Sequence, residues 1–197
     1  MEINLGVFDY YLILVNIIGF IVFAINTWLY SNTADKQIDV VLTICSLLGG
    51  SLGIVIAILL IDRKAEKGNM MSRVFVSCFL VIQIIVFLII KGHISNDITV
   101  AFWEFFDRHK ILLTYLVVIN MITFAAFAID KMNAIEKRSR IRIVTLLGLS
   151  FIGGSIGGIA AMYTFRHKTK KDYFTVGEPL IIVMQIVLLF YVMNAKW

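Results

Sequence analysis

The chain has 197 residues, of which 60% are apolar and 16% charged, with a mean hydropathy of +0.91, one proline and a formal net charge of +5. A soluble domain of this length is about half apolar with roughly a quarter of its residues charged, so this excess needs an apolar solvent around the protein and excludes a single soluble core. The two cysteines, Cys45 and Cys78, lie inside apolar runs and exclude a disulfide scaffold, and no polar stretch is long enough to carry a nucleic-acid-binding face.

Apolar runs long enough to cross about 30 Å of hydrocarbon fall near 10–30, 40–61, 74–91, 111–130, 142–165 and 178–195. Backbone groups in lipid must be satisfied within their own segment, and the strict alternation of a barrel is absent, so an all-α integral membrane protein with six transmembrane helices is predicted. No lysine or arginine precedes the first run, which is too long for a signal core, so a signal peptide is not expected. The first span carries Asn16, the second Gly49, Gly50 and Gly53, and the third Gln83. Between the third and fourth spans, Ser95 to Lys110 sets Phe102, Trp103, Phe105 and Phe106 beside Glu104 and Asp107. That stretch is too short to cross and reads as a short helix lying in the interface. The fourth span carries Asn120 and closes on Asp130 and Lys131, ahead of the basic run Lys137 to Arg142. Gly153, Gly154 and Gly157 lie in the fifth, which ends in Arg166-His167-Lys168-Thr169-Lys170-Lys171, and Gln185 lies in the sixth, opened by Glu178-Pro179.

Sliding the chain on itself by 104 residues pairs Tyr11 with Tyr115, Asn16 with Asn120, Phe23 with Phe127, and Gly49-Gly50-Ser51-x-Gly53 with Gly153-Gly154-Ser155-x-Gly157. A two-residue deletion then aligns Gln83 with Gln185. The chain reads as a tandem duplication: a three-helix repeat over 1–92, the interfacial linker helix over 93–110 and a second three-helix repeat over 111–197. Three crossings per repeat predict an inverted pair, an architecture of secondary transporters that also arises when the partners of an antiparallel dimer fuse. In that arrangement lysine and arginine divide ten against eight between the two sides, which would put both termini in the cytoplasm of a multi-pass cell-membrane protein.

Glycines at four-residue spacing let helix backbones approach closely, so Gly49, Gly50, Gly53, Gly153, Gly154 and Gly157 are predicted packing residues that bring the second and fifth spans together. Carboxamides deep in hydrocarbon need partners, so Asn16, Asn120, Gln83 and Gln185 should face inward, either fixing helix register or lining a central substrate site. Arg166, His167, Lys168, Thr169 and Lys171 suit phosphate or carboxylate oxygens, and their partner in a membrane would be an anionic lipid headgroup. Asp130 and Lys131 join the candidate binding residues, with the acid placed to pair with a neighbouring base. In the inverted arrangement the 137–142 and 166–171 clusters would form basic mouths on opposite sides of the membrane. His93, His109 and His167 show no metal-ligand spacing and no nucleophilic triad can be assembled, so no metal, cofactor or catalytic residue is predicted. A homo-oligomer is compatible with the chain.

The order Asn120, Phe124, Phe127, Asp130-Lys131, a basic loop, Gly153-Gly154-Ser155-x-Gly157-Gly158, Phe165-Arg166-His167-Lys168-Thr169-x-Lys171 and Phe174, then Pro179 and Gln185, resembles the small bacterial membrane family catalogued as domain of unknown function 1294. The resemblance covers roughly 111–195, and the first repeat looks like a degenerate copy without the Asp-Lys pair and the His-Lys-Thr motif. It implies a membrane location and no particular activity. From the residues, the expected function is a small transporter or flippase-like protein for an anionic or lipid-linked substrate, and the alternative is a non-transporting protein that binds anionic lipid or a partner through its basic loops.

Overall fold

The computed structural model describes residues 6–32, 39–64 and 68–196, all helix and connecting turns apart from one isolated bridge between Ile94 and Ala195. Six helical stretches are long and apolar enough to span a membrane, and many of their leucine, isoleucine and valine side chains point outward, as a lipid solvent requires. Contacts divide the chain into two compact units, 1–84 and 85–197, with the division inside the third stretch.

In the second unit, α6 (Lys110–Ile135) is followed by α7 (Ile143–Leu149), a π-helical turn (Ser150–Gly154) and α8 (Ser155–Thr164). The predicted fifth span is therefore broken at Gly153, whose φ of 129° and ψ of −6° lie outside the helical region and suit a residue without a Cβ. What the break does is set by contacts on α6. The Tyr115 hydroxyl donates to the Ile152 carbonyl at 2.6 Å, the Gly157 N–H donates to Asn120 at 2.7 Å, and His167 meets Asp130 at 2.9 Å. In each pair the partner lies 37 residues on, so α8 runs parallel to α6. The chain must first return along α6, and α7 makes that return: the Ile141 N–H donates to Asp130 at 2.8 Å, on the same carboxylate that holds His167. A straight helix over 143–164 would hold its ends about 33 Å apart. Here both ends meet one side chain, so α7 and α8 form a hairpin with its tip at Gly153 and its feet beside Asp130.

After α9 (Asp172–Thr175), α10 (Gly177–Asn194) starts near the feet, where Phe174 packs on Phe127 with ring centres 5.5 Å apart, and passes the tip, where Gln185 donates to the Ser150 carbonyl at 2.7 Å. The short helix α5 (Phe102–Arg108), with no buried residue, leads into α6 at the tip end. At that same end the residues after α4 meet those after α10: the Ser95 N–H donates to the Asn194 carbonyl at 2.7 Å, and the Lys196 N–H to the His93 carbonyl at 3.2 Å.

The first unit carries the same bonds in its own terms. It contains α1 (Val7–Asn32), α2 (Asp39–Cys45), a π-helical turn (Ser46–Gly50), α3 (Ser51–Leu60) and most of α4 (Met70–Ile90). Tyr11 donates to the Leu48 carbonyl at 2.7 Å and the Gly53 N–H to Asn16 at 2.8 Å, again 37 residues apart, and Gly49 has φ 113°. Helix α4 runs from the feet, where Arg73 pairs with Asp62 at 3.0 Å, to the tip, where Gln83 donates to the Ser46 carbonyl.

This geometry differs from the expected straight helices in the second and fifth stretches, which are each broken, at Gly49 and at Gly153, and fold back within their own unit. A Cβ at Gly53 would overlap the Asn16 carbonyl, and one at Gly157 that of Asn120, so these two glycines each seat the first helix of their own repeat.

Candidate functional site

The feet of the second hairpin gather the charged residues of the sequence motifs. Helix α8 ends in a turn in which the His167 N–H bonds back to the Met162 carbonyl at 3.0 Å, with Arg166 at φ 44° and Lys168 at φ 64°. Left-handed conformations usually go to glycine at a helix end, and here they aim His167 and Lys168 back onto α6. Asp130 is fully buried and receives three partners: Lys168 Nζ at 2.8 Å, His167 Nε2 at 2.9 Å and the Ile141 N–H at 2.8 Å. Lys168 also lies 4.7 Å from the Phe174 ring centre and 6.0 Å from that of Phe127, so apolar faces complete its enclosure. Burial pushes the Lys168 ammonium below the ordinary lysine range, against the pull of the Asp130 carboxylate, while Arg140 adds to the downward shift.

This arrangement separates the predicted binding residues into two sets. Asp130, His167 and Lys168 bind one another and hold the hairpin's feet to α6. Arg166 and Lys171 stay exposed, as do Lys170, Lys137, Arg140 and Arg142, whereas Lys131 and Thr169 are partly buried. Because Asp130 grips both Ile141 and the turn after α8, the 137–142 and 166–171 clusters lie at the same end of their unit. The expected pair of opposite basic mouths is replaced by one basic face.

The four carboxamides lie deeper, at matched places. Asn120 donates to the Leu116 carbonyl at 2.7 Å and the Gly153 carbonyl at 2.9 Å while accepting from Gly157, and Asn16 donates to the Leu12 carbonyl at 2.8 Å while accepting from Gly53. Gln185 joins the Ser150 and Phe151 carbonyls to the Ser155 hydroxyl. These amides satisfy backbone groups that the helix breaks release. An open groove of about 780 Å³ runs along α6 and α8 between Leu113 and Ala160, with Asn120 as its polar member. Phe124, at its upper end, packs on Phe165 with ring centres 5.4 Å apart, and Phe165 directly precedes Arg166.

Two functional candidates escaped the sequence reading. Glu178 is fully buried and accepts from the Ser150 hydroxyl at 2.7 Å, and Asn194, 3% exposed, bonds Thr99 through both its oxygen and its nitrogen. The shift of 104 residues also pairs Ser46 with Ser150, but nothing in spacing alone leads from Ser150 to Glu178. Among the described residues no group of three or more histidine, cysteine, aspartate and glutamate side chains could hold a metal ion.

Comparison with known proteins bears on this half of the chain. A family model described as Protein of unknown function (DUF1294) matches residues 120–174, which run from the Asn120 amide through both basic loops to Phe174. The uncharacterised protein YsdA of Bacillus subtilis (strain 168) is 38% identical over 79 residues, covering 40% of this chain and 89% of that protein. No solved structure matches. With nearly the whole of that relative matched, the chain belongs to the DUF1294 family.

Proposed function

We propose that this protein is a cell-membrane protein of flippase or transporter type that handles an anionic or lipid-linked substrate, with the exposed cations of the second repeat on the headgroup and the groove along α6 and α8 on an acyl chain. The observation that carries the reading is the Asp130 clamp, which draws two basic loops to one end of the unit, beside the upper end of an apolar groove. Arginine and lysine at an interface suit phosphate oxygens, and an apolar groove at membrane depth suits a hydrocarbon tail.

The sidedness of this face rests on the folded-back hairpin of the second unit, whose two ends both lie beside Asp130. Lysine and arginine number five in 131–142 and four in 166–171 at that end, and within 85–197 four others, Lys91, Arg108, Lys110 and Lys196, lie in the stretches at the tip end. Nine against four favours the cytoplasm, and its anionic leaflet, for the basic face.

Purified protein should bind phosphatidylglycerol more tightly than phosphatidylcholine in native mass spectrometry. The variant Arg166→Gln with Lys170→Gln and Lys171→Gln should lose at least tenfold, since charge-assisted contacts contribute about 1.5 to 3 kcal/mol each. Equal binding of the two lipids would end the reading. The second reading, lipid binding without movement, is favoured by the occupied amides, and a fluorescent-lipid scrambling assay in vesicles separates the two.

A further inference from the structure

Glu178 is the buried acid that the basic face does not use. It lies in the first turn of α10, is fully buried, and its Oε1 accepts from the Ser150 hydroxyl at 2.7 Å. Its other oxygen, also buried, has no hydrogen-bond partner among the described residues. The surroundings are shaped for it. Gly158, on α8, leaves the space above it open: a Cβ there would stand 2.9 Å from the Ser150 hydroxyl oxygen and 3.2 Å from Glu178 Oε2.

The first repeat shows what the same place becomes without the acid. In the register that aligns Gln83 with Gln185, Val76 stands where Glu178 does, and in the 104-residue register of the hairpins Ile54 stands where Gly158 does. Both are in the apolar core, 2% and 1% exposed, and Ser46, the counterpart of Ser150, keeps a buried hydroxyl with no hydrogen-bond partner among the described residues. The fold therefore closes around two apolar side chains, and the acid is an addition to it. Around Glu178 the π-helical turn contributes Ser150 and α8 contributes Gly158, while the nearby cation Lys168 is bound to Asp130 and faced by Phe174 of α9. Among the described residues, Glu178 bonds the Ser150 hydroxyl through Oε1, and its Oε2 has no hydrogen-bond partner. A fixed negative charge would stand without a counter-charge in apolar surroundings, which is costly, and an added proton removes that cost.

We propose that Glu178 is a proton-binding site within the membrane, one that the second repeat has and the first lacks. A proton from water adds to the free carboxylate oxygen to give the neutral acid and leaves by the same route, while the Ser150 hydroxyl holds the other oxygen in both forms. The proposal is independent of the lipid reading, because it concerns neither the basic face nor the groove.

The test is infrared spectroscopy of the full chain in lipid nanodiscs over a pH series. A carboxylic-acid carbonyl band should grow as pH falls, vanish in Glu178→Gln and persist in Asp130→Asn. The paired substitution Glu178→Val with Gly158→Ile, which copies the first repeat, should fold and lack the band, and Glu178→Asp should keep a shifted one. Three results would each overturn the proposal: a titrating band unchanged in Glu178→Gln, no such band in the wild-type protein, or a band of constant height that responds to sodium and not to pH.

Discussion

The carboxylate of Asp130 lies 2.8 Å from the ammonium of Lys168 and, through its other oxygen, 2.8 Å from the backbone N–H of Ile141, so one side chain of α6 fastens both feet of the α7–α8 hairpin. The first repeat has Asn26 in that place, and at the end of its hairpin Asp62 pairs with Arg73 at 3.0 Å and accepts from Asn69 at 2.8 Å. In the sequence the carboxylate at this place belongs to the second repeat, and its removal there has definite consequences.

Replacing Asp130 by asparagine leaves the Lys168 cation enclosed without its counter-charge. Breaking a buried pair on one side costs about 3 to 5 kcal/mol, so Asp130→Asn should lower the melting temperature in detergent strongly. Asp130→Asn with Lys168→Met should recover part of the loss, because no uncompensated charge is then left. A double variant no more stable than the single one would show that the pair is not the clamp.

The Lys168 amine should titrate below the ordinary lysine value of 10.5, because burial disfavours its charged form. As pH rises towards that value the folded protein releases this proton before the unfolded chain does, so the unfolded state binds more protons there and stability gains from Lys168 as pH rises. Asp130→Asn removes the opposing pull and should move the onset to lower pH. The difference in melting temperature between wild type and Lys168→Met, followed across the alkaline range, measures this, and a difference that does not vary with pH would contradict it.

Single cysteines report the hairpin directly. Cysteines at Arg138 and Lys170, before α7 and after α8, should react with an impermeant maleimide from the same side of sealed vesicles, while one at Lys196 reacts from the other. A straight crossing over 143–164 would put Arg138 and Lys170 on opposite sides.

Alanine at Gly157 or Gly53 should suffice to destabilise the protein, because the new methyl meets a backbone carbonyl that cannot rotate away. Overpacking of this kind costs about 1 to 3 kcal/mol, readable as a lower melting temperature. Gly148, with none of the described residues within 4 Å of its Cβ position, should accept alanine without loss. If all three variants melt alike, the glycines do not seat α1 and α6.

Composition and periodicity alone determined the solvent, because an apolar excess this large has no other home, and they placed the helices to within a few residues: the third span read as 74–91 is helical over Met70–Ile90. They also matched Asn16 with Asn120 and Gln83 with Gln185, since amides are conspicuous in apolar runs. The direction of the chain through the second and fifth stretches was decided only by tertiary structure. A hydropathy window over Val40–Leu60 or Ile143–Thr164 reads the same whether the helix runs straight or turns back, because both bury the same residues in the same hydrocarbon. The turn at Gly153 rests on contacts distant in sequence, Asp130 with Ile141 and Lys168 at the feet and Asn120 with the Gly153 carbonyl at the tip, and those contacts set which charged loops share a side.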